Sequence, residues 1–288
     1  YNLIRGDKAQ NLEDAISCYQ NALTIYTQQN FPAHWANTQY NLGNAYGNRL
    51  RGDKAQNLEY TIACYQKALT IWTRQDFPTP GAMTQMNLGL AYSQRIRGDK
   101  AQNLEEAITC YQNALTIYTR QNFPTQWAMT QNNLGLAYSN RILGDKAQNL
   151  EEVITCYQNA LTIYNRQNFP TQWAKKQMNL GNAYGERIQG DKAQNLEEAI
   201  TCYQNALTIL TQQNFPAHWV GTQYNLGLIY HNRILGDKAQ NLEEAITCYQ
   251  NALTIYTRQN FPTQWATIQE RLANAYGHRF VGNKAQNL

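Results

Sequence analysis

The heptapeptide Gly-Asp-Lys-Ala-Gln-Asn-Leu begins at Gly6 and returns at Gly52, Gly98, Gly144, Gly190 and Gly236, 46 residues apart each time. An altered seventh copy, Gly-Asn-Lys-Ala-Gln-Asn-Leu, begins at Gly282 in the same register. A period kept without insertion or deletion gives every copy the same structural slot. Periods of roughly 20–50 residues mark stacked-repeat architectures. A chain of 288 residues would otherwise suggest one or two globular domains. The repeat replaces that expectation with a single array over residues 1–288, its partial seventh unit starting at Gly282. Tyr1 and Leu288 both fall inside the repeat, so the expectation is a segment of a longer array.

Each unit reads as two helices. In the third unit Asn103 precedes Leu104-Glu105-Glu106, an Asn-x-x-Glu spacing that suggests a capping box, with acid suited to the helix dipole. Apolar residues follow at Leu104, Ala107, Ile108, Tyr111, Leu115 and Tyr118. A second stripe runs through Cys110, Ala114 and Ile117, so this helix is expected to be buried on two sides and to last to Arg120 or Gln121. Phe123-Pro124 then breaks it, because the residue before a proline avoids helical dihedrals and proline suits the next helix's first turn. The second helix should start near Thr125 and end near Ile142. Its expected inward residues are Trp127, Gln131, Leu134, Tyr138 and Ile142, with Ala128 and Gly135 beside them. Gly144-Asp145 should form the following turn, the glycine at positive φ. The pattern predicts twelve helices, six beginning near Leu12, Leu58, Leu104, Leu150, Leu196 and Leu242. The other six begin near Ala36, Ala82, Ala128, Ala174, Val220 and Ala266. A helix pair cannot bury two-sided faces alone, so neighbours must stack.

Composition narrows the function classes. The net charge of +4 is small for the length, and Lys175-Lys176 is the only adjacent lysine pair, so no basic face for nucleic acid is expected. No apolar run reaches the ~18–20 residues of a membrane span. The cysteines, Cys18, Cys64, Cys110, Cys156, Cys202 and Cys248, occur once per unit at one helical position. Equivalent positions a whole repeat apart cannot meet the ~7 Å Cα limit of a disulfide. Buried free thiols in a reducing, cytoplasmic setting are expected. His34, His218, His231 and His278 lack a second ligand at helical spacing, so no metal is expected. Capping accounts for Glu105-Glu106 better than glycosidase chemistry does. No nucleophile triad or phosphate loop is present, so neither enzymatic activity nor a cofactor or small-molecule substrate is expected.

Asn133-Leu134-Gly135-Leu136-Ala137-Tyr138 resembles the first-helix signature of the tetratricopeptide repeat. Ala107, Tyr111 and Ala114 fall where that family's second helix carries its small, aromatic, small triplet, and Pro124 resembles its closing proline. The resemblance covers nearly the whole chain and implies an all-α fold, a right-handed α-α solenoid of helix pairs. The family's usual unit is about 34 residues, so both connections are lengthened here. Gln131 stands where the family has an early tryptophan, and Trp127 lies about a turn before it. The long Phe-Pro-x-x-Trp form resembles arrays in large bacterial proteins, often alongside a caspase-like protease or another effector domain.

The copies differ mainly along one stripe of the second helix. One slot holds Tyr40, Met86, Asn132, Met178, Tyr224 and Glu270. Four residues on stand Asn44, Leu90, Leu136, Asn182, Leu228 and Asn274. Asn48, Gln94, Asn140, Glu186, Asn232 and His278 follow four further on. This spacing places them on one face, which in tetratricopeptide arrays lines a concave peptide-binding groove. Asn44 and Asn182 match that family's asparagine slot, but no Lys or Arg occupies the stripe, so mixed polar or amphipathic peptides are expected rather than a carboxylate clamp. The asparagines before Leu-Gly (Asn41, Asn87, Asn133, Asn179, Asn225) are expected to serve the frame. Thr79-Pro80-Gly81 replaces Thr-Gln-Trp in the second unit, and Trp72 is expected to fill part of the lost volume. The leading expectation is a protein- or peptide-binding scaffold. The alternatives are a sensor or autoinhibitory arm of a larger effector protein, or a structural spacer stacking end to end through uncapped apolar faces.

Overall fold

The structure, a computed structural model, describes residues 7–286. The first marker's Gly6 and the last marker's Asn287 and Leu288 lie outside the described residues. Among the described residues the fold is all-α, with twelve helices. They are α1 (Lys8–Ala22), α2 (Pro32–Gly47), α3 (Lys54–Leu69), α4 (Pro78–Ser93), α5 (Lys100–Leu115), α6 (Pro124–Ser139), α7 (Lys146–Leu161), α8 (Pro170–Glu186), α9 (Lys192–Leu207), α10 (Pro216–His231), α11 (Lys238–Leu253) and α12 (Pro262–Gln286).

The marker heptapeptide starts helices, and it does so earlier than the sequence suggests. Asp99, not Asn103, caps α5: its carboxylate accepts from the Gln102 N–H at 2.8 Å. Asp53, Asp145, Asp191 and Asp237 cap their helices in the same way. The glycine before each aspartate turns the chain, at φ between +78° and +81°. Asn103 is buried inside the helix, and its Nδ2 donates back to the Arg97 carbonyl at 2.9 Å, tying the turn shut. The capping box is therefore absent. Glu106 accepts instead from the Gln102 side chain, and Glu105 pairs with Arg141.

Both helices also end earlier than expected. α5 stops at Leu115, where the Thr116 hydroxyl takes the Asn113 carbonyl at 2.7 Å. A hydroxyl that bonds nearby backbone competes with helix continuation. α6 stops at Ser139, where Asn140 Nδ2 takes the Leu136 carbonyl at 2.8 Å. Ile142 thus lies beyond the helix and is 58% exposed rather than inward. Leu50, Ile96, Ile188 and Ile234 are exposed in the same register. Pro124 opens α6 as expected, and the last helix runs through Gly282 without turning.

The chain divides into two compact units, Tyr1–Gly144 and Asp145–Leu288. In the first, α2 packs most closely on α3 and α4 on α5; in the second, α8 packs on α9 and α10 on α11. The signature glycine makes this approach possible. A Cβ on Gly89 would stand 2.7 Å from the Tyr111 ring, and Gly43, Gly181 and Gly227 meet Tyr65, Tyr203 and Tyr249 in the same manner. Two-sided burial of the other helix holds: α5 buries Leu104, Ala107, Ile108, Cys110, Tyr111 and Ala114. Every cysteine among the described residues is free. Five are buried, and Cys18 is exposed.

An arginine clamp repeats through the frame. Arg95 donates from Nε and Nη2 to the two carboxylate oxygens of Glu59, at 2.9 and 2.7 Å, and from Nη1 to Asn103 Oδ1 at 3.2 Å. It joins α3 and α5 from the end of α4. The bidentate geometry is the strong form of such pairs, and this hydrogen bonding holds the Glu59 carboxyl below its usual range.

Candidate binding surface

The sequence stripe lies on α2, α4 and α6 of the first unit and on α8, α10 and α12 of the second, and its two leading slots differ in environment. The first slot is largely packed into the frame. The Tyr40 ring centre lies 5.7 Å from that of Tyr65 and 5.5 Å from that of Trp72. Met86 packs with Ala82, Ala114 and Tyr118, and Met178 with Ala174, Ala206 and Leu210. Asn132 donates to Asn133 Oδ1. Tyr224 is half-buried beside Tyr249, and Glu270 is exposed.

The second slot is more open. Leu90 and Leu136 are 43% and 52% exposed, Leu228 is half-buried and Asn274 is exposed. Asn44 and Asn182 each accept from a buried tyrosine hydroxyl, Tyr65 and Tyr203, at 2.7 Å. In the third slot, Asn48, Asn140 and Asn232 donate to the carbonyl four residues back and close helix ends. The asparagines before Leu-Gly serve the frame where bonds are seen: Asn87 donates to the Tyr40 hydroxyl at 3.0 Å, and Asn225 to Asn182 Oδ1 at 3.0 Å.

In the first unit Asn44 and Leu90 come together on a cleft of 390 Å³ between α2, α3 and α4, walled also by Asn48, Tyr65, Asn87 and Gln94. In the second unit Tyr224 lines a cleft of 320 Å³ with Gly221, Tyr256 and Ile268. Tyr40 and Met86 do not line the first cleft; they face the following helix.

Two features are not apparent from the sequence. The arginine clamp joins an Arg and a Glu that recur in every copy but stand 36 residues apart in the chain. His278 Nδ1 stands 3.1 Å from His231 Nε2, a pairing across helices. Burial and the facing His278 hold the His231 imidazole below its usual pKa. Among the described residues no group of three His, Cys, Asp or Glu side chains is placed to hold a metal ion. No helix there is long and apolar enough to cross a membrane. The loss of a tryptophan at Gly81, legible in the sequence, leaves a cleft beside Trp72.

No protein-family model and no curated protein sequence matches the chain. Several solved structures do. BtubC from P. vanneervenii aligns with a TM-score of 0.60 at 18% identity, covering 88% of this chain and 91% of its own. The apo form of RapI aligns at 0.58 and 16% identity, covering 96% of this chain and 92% of its own. The Cut9-Hcn1 hetero-tetramer of the APC/C aligns at 0.54 and 16% identity, where this chain covers 92% of its own length and 40% of the other's. At these identities the likeness shows the fold alone: an all-α array of consecutive packed helices.

Proposed function

We propose that this chain is a protein-binding repeat scaffold, a long 46-residue form of the tetratricopeptide array running through residues 1–288, and that a partner polypeptide lies along the varying stripe. The observation that carries this reading is the cleft where Asn44 and Leu90 converge. It pairs an exposed apolar side chain with amide groups, the combination that grips an extended peptide by its backbone while reading its side chains. The second slot of the stripe, where Leu90 and Leu136 are exposed, is one at which the copies differ, holding Asn or Leu. Protein partnership also fits the Cut9-Hcn1 assembly among the structural neighbours.

Leu90→Asp and Leu136→Asp test the reading without disturbing the core, since both side chains are exposed. Partner capture from the source cell extract, scored against the unaltered chain, should fall at least tenfold for the pair. Unchanged capture by a variant with an unaltered helical spectrum would remove the stripe from the binding surface. Tyr40, Met86 and Met178 are poorer probes, because their removal would also loosen the frame.

A further inference from the structure

One slot of the repeat is vacant. Trp35, Trp127, Trp173, Trp219 and Trp265 stand in the first turn of their helices, and the second 46-residue repeat has Gly81 there. The helix starts in the same way: the Gly81 N–H reaches the Phe77 carbonyl at 2.9 Å, and the Trp127 N–H reaches the Phe123 carbonyl at 2.8 Å. Trp72 closes part of the space, as the sequence suggests, and leaves the rest open. It is buried in the cluster of Ala36 and Ala68, and its carbonyl stands 2.8 Å from where a Gly81 Cβ would be. A cleft of 260 Å³ remains, lined by Trp72, Pro78, Gly81 and Ile117.

The other copies show what the cleft is shaped for. Trp35 and Trp173 pack in the same clusters as Ile71 and Ile209, just past the end of the following helix. Ile117 holds that register beside Gly81. An arginine covers two of the resident indoles: the Arg166 guanidinium is 5.7 Å from the Trp173 ring centre, and that of Arg258 is 5.9 Å from Trp265. Arg74 is the equivalent arginine and lines the vacant cleft. Among the described residues it makes no hydrogen bond, ion pair or ring contact. Gln85 and Asn113, residues with amide carbonyls able to accept from an indole N–H, also line the cleft.

We propose that this cleft receives the tryptophan side chain of a partner polypeptide, seated on Ile117 where the repeat's own indole is absent and covered by Arg74. The cleft is below the ~300 Å³ at which small-molecule sites begin, a size suited to one side chain. The proposal does not depend on the stripe, which lies elsewhere on these helices.

The test uses the whole chain with labelled isoleucine methyls, titrated with N-acetyl-tryptophanamide. The expected result is a saturable shift of the Ile117 methyl that N-acetyl-leucinamide does not reproduce. Arg74→Ala should weaken binding about two- to fivefold, the range of an exposed cation–π contact. Trp173→Gly should open a second site, reported by Ile209 beneath Arg166. An Ile117 methyl that stays still up to the probe's solubility, an equal response to the leucine probe, or unchanged affinity in Arg74→Ala would each overturn the proposal. Leu136→Asp should leave the titration unaltered, which separates this site from the stripe.

Discussion

At the scale of the residue, small side chains at fixed slots set the spacing of helices. Gly89 costs its helix about 1 kcal/mol against alanine, and the Tyr111 ring occupies the space that a side chain would need. Tyr111 is only 1% exposed and has nowhere to move. Gly89→Leu is therefore expected to destabilise by about 1–3 kcal/mol through overpacking, read as a lower urea midpoint. Lys176 is the opposite case. It holds a slot where Thr84, Thr130 and Thr222 are buried and bond a carbonyl four residues back. Desolvation, with a smaller effect from neighbouring Lys175, lowers the Lys176 pKa to about 8 from 10.5. Below pH 8 both folded and unfolded chains carry the proton, so the full burial cost is present. It disappears as pH rises from about 8 to 10.5, where only the unfolded chain stays protonated. Lys176→Thr should raise stability at pH 7 by about 1–3 kcal/mol. Thermal melts should show that advantage shrinking across the same pH window.

At the scale of the element, the competition is between two good capping residues four positions apart. Asp99 caps because the glycine before it turns the chain and points its carboxylate at the free N–H groups. Asn103 then falls one turn inside and closes the preceding loop. The sequence contained both residues, but choosing between them needed the loop carbonyl and the arginine that Asn103 meets. Asp99→Ala should cost about 1 kcal/mol, the usual value of a cap. Asn103→Ala should cost more, about 1–3 kcal/mol, because it strands a carbonyl and part of a guanidinium. Equilibrium unfolding of the two variants side by side checks the order. The clamp also has an acid signature. Arg95 lowers the Glu59 pKa below 4.5, so its contribution is complete above that value and is lost as pH falls through the folded pKa. Glu59→Gln should flatten the acid limb of the stability curve.

At the scale of the whole molecule, burial distinguishes copies that the sequence makes alike. Burial pushes the thiols of Cys110, Cys156, Cys202 and Cys248 up to about 12, and that of Cys64 to about 11. Cys18, in the same register, is exposed. A maleimide under native conditions should label one cysteine of the six, with peptide mapping placing it at Cys18. End-to-end association, expected from the sequence, is read by sedimentation at rising concentration; a single monomeric species throughout would count against it. The sequence by itself determined the all-helical class, the number of helices, the glycine turns and the proline starts. Each follows from local dihedral preference and a period repeated without interruption. The tertiary structure decided which polar residue caps, where helices stop, and which stripe residues are free to meet a partner. Those outcomes depend on atoms distant in the chain: the tyrosine facing each glycine, the loop carbonyl that claims Asn103, and the neighbouring helix that takes in Tyr40 and Met86 while leaving Leu90 in water.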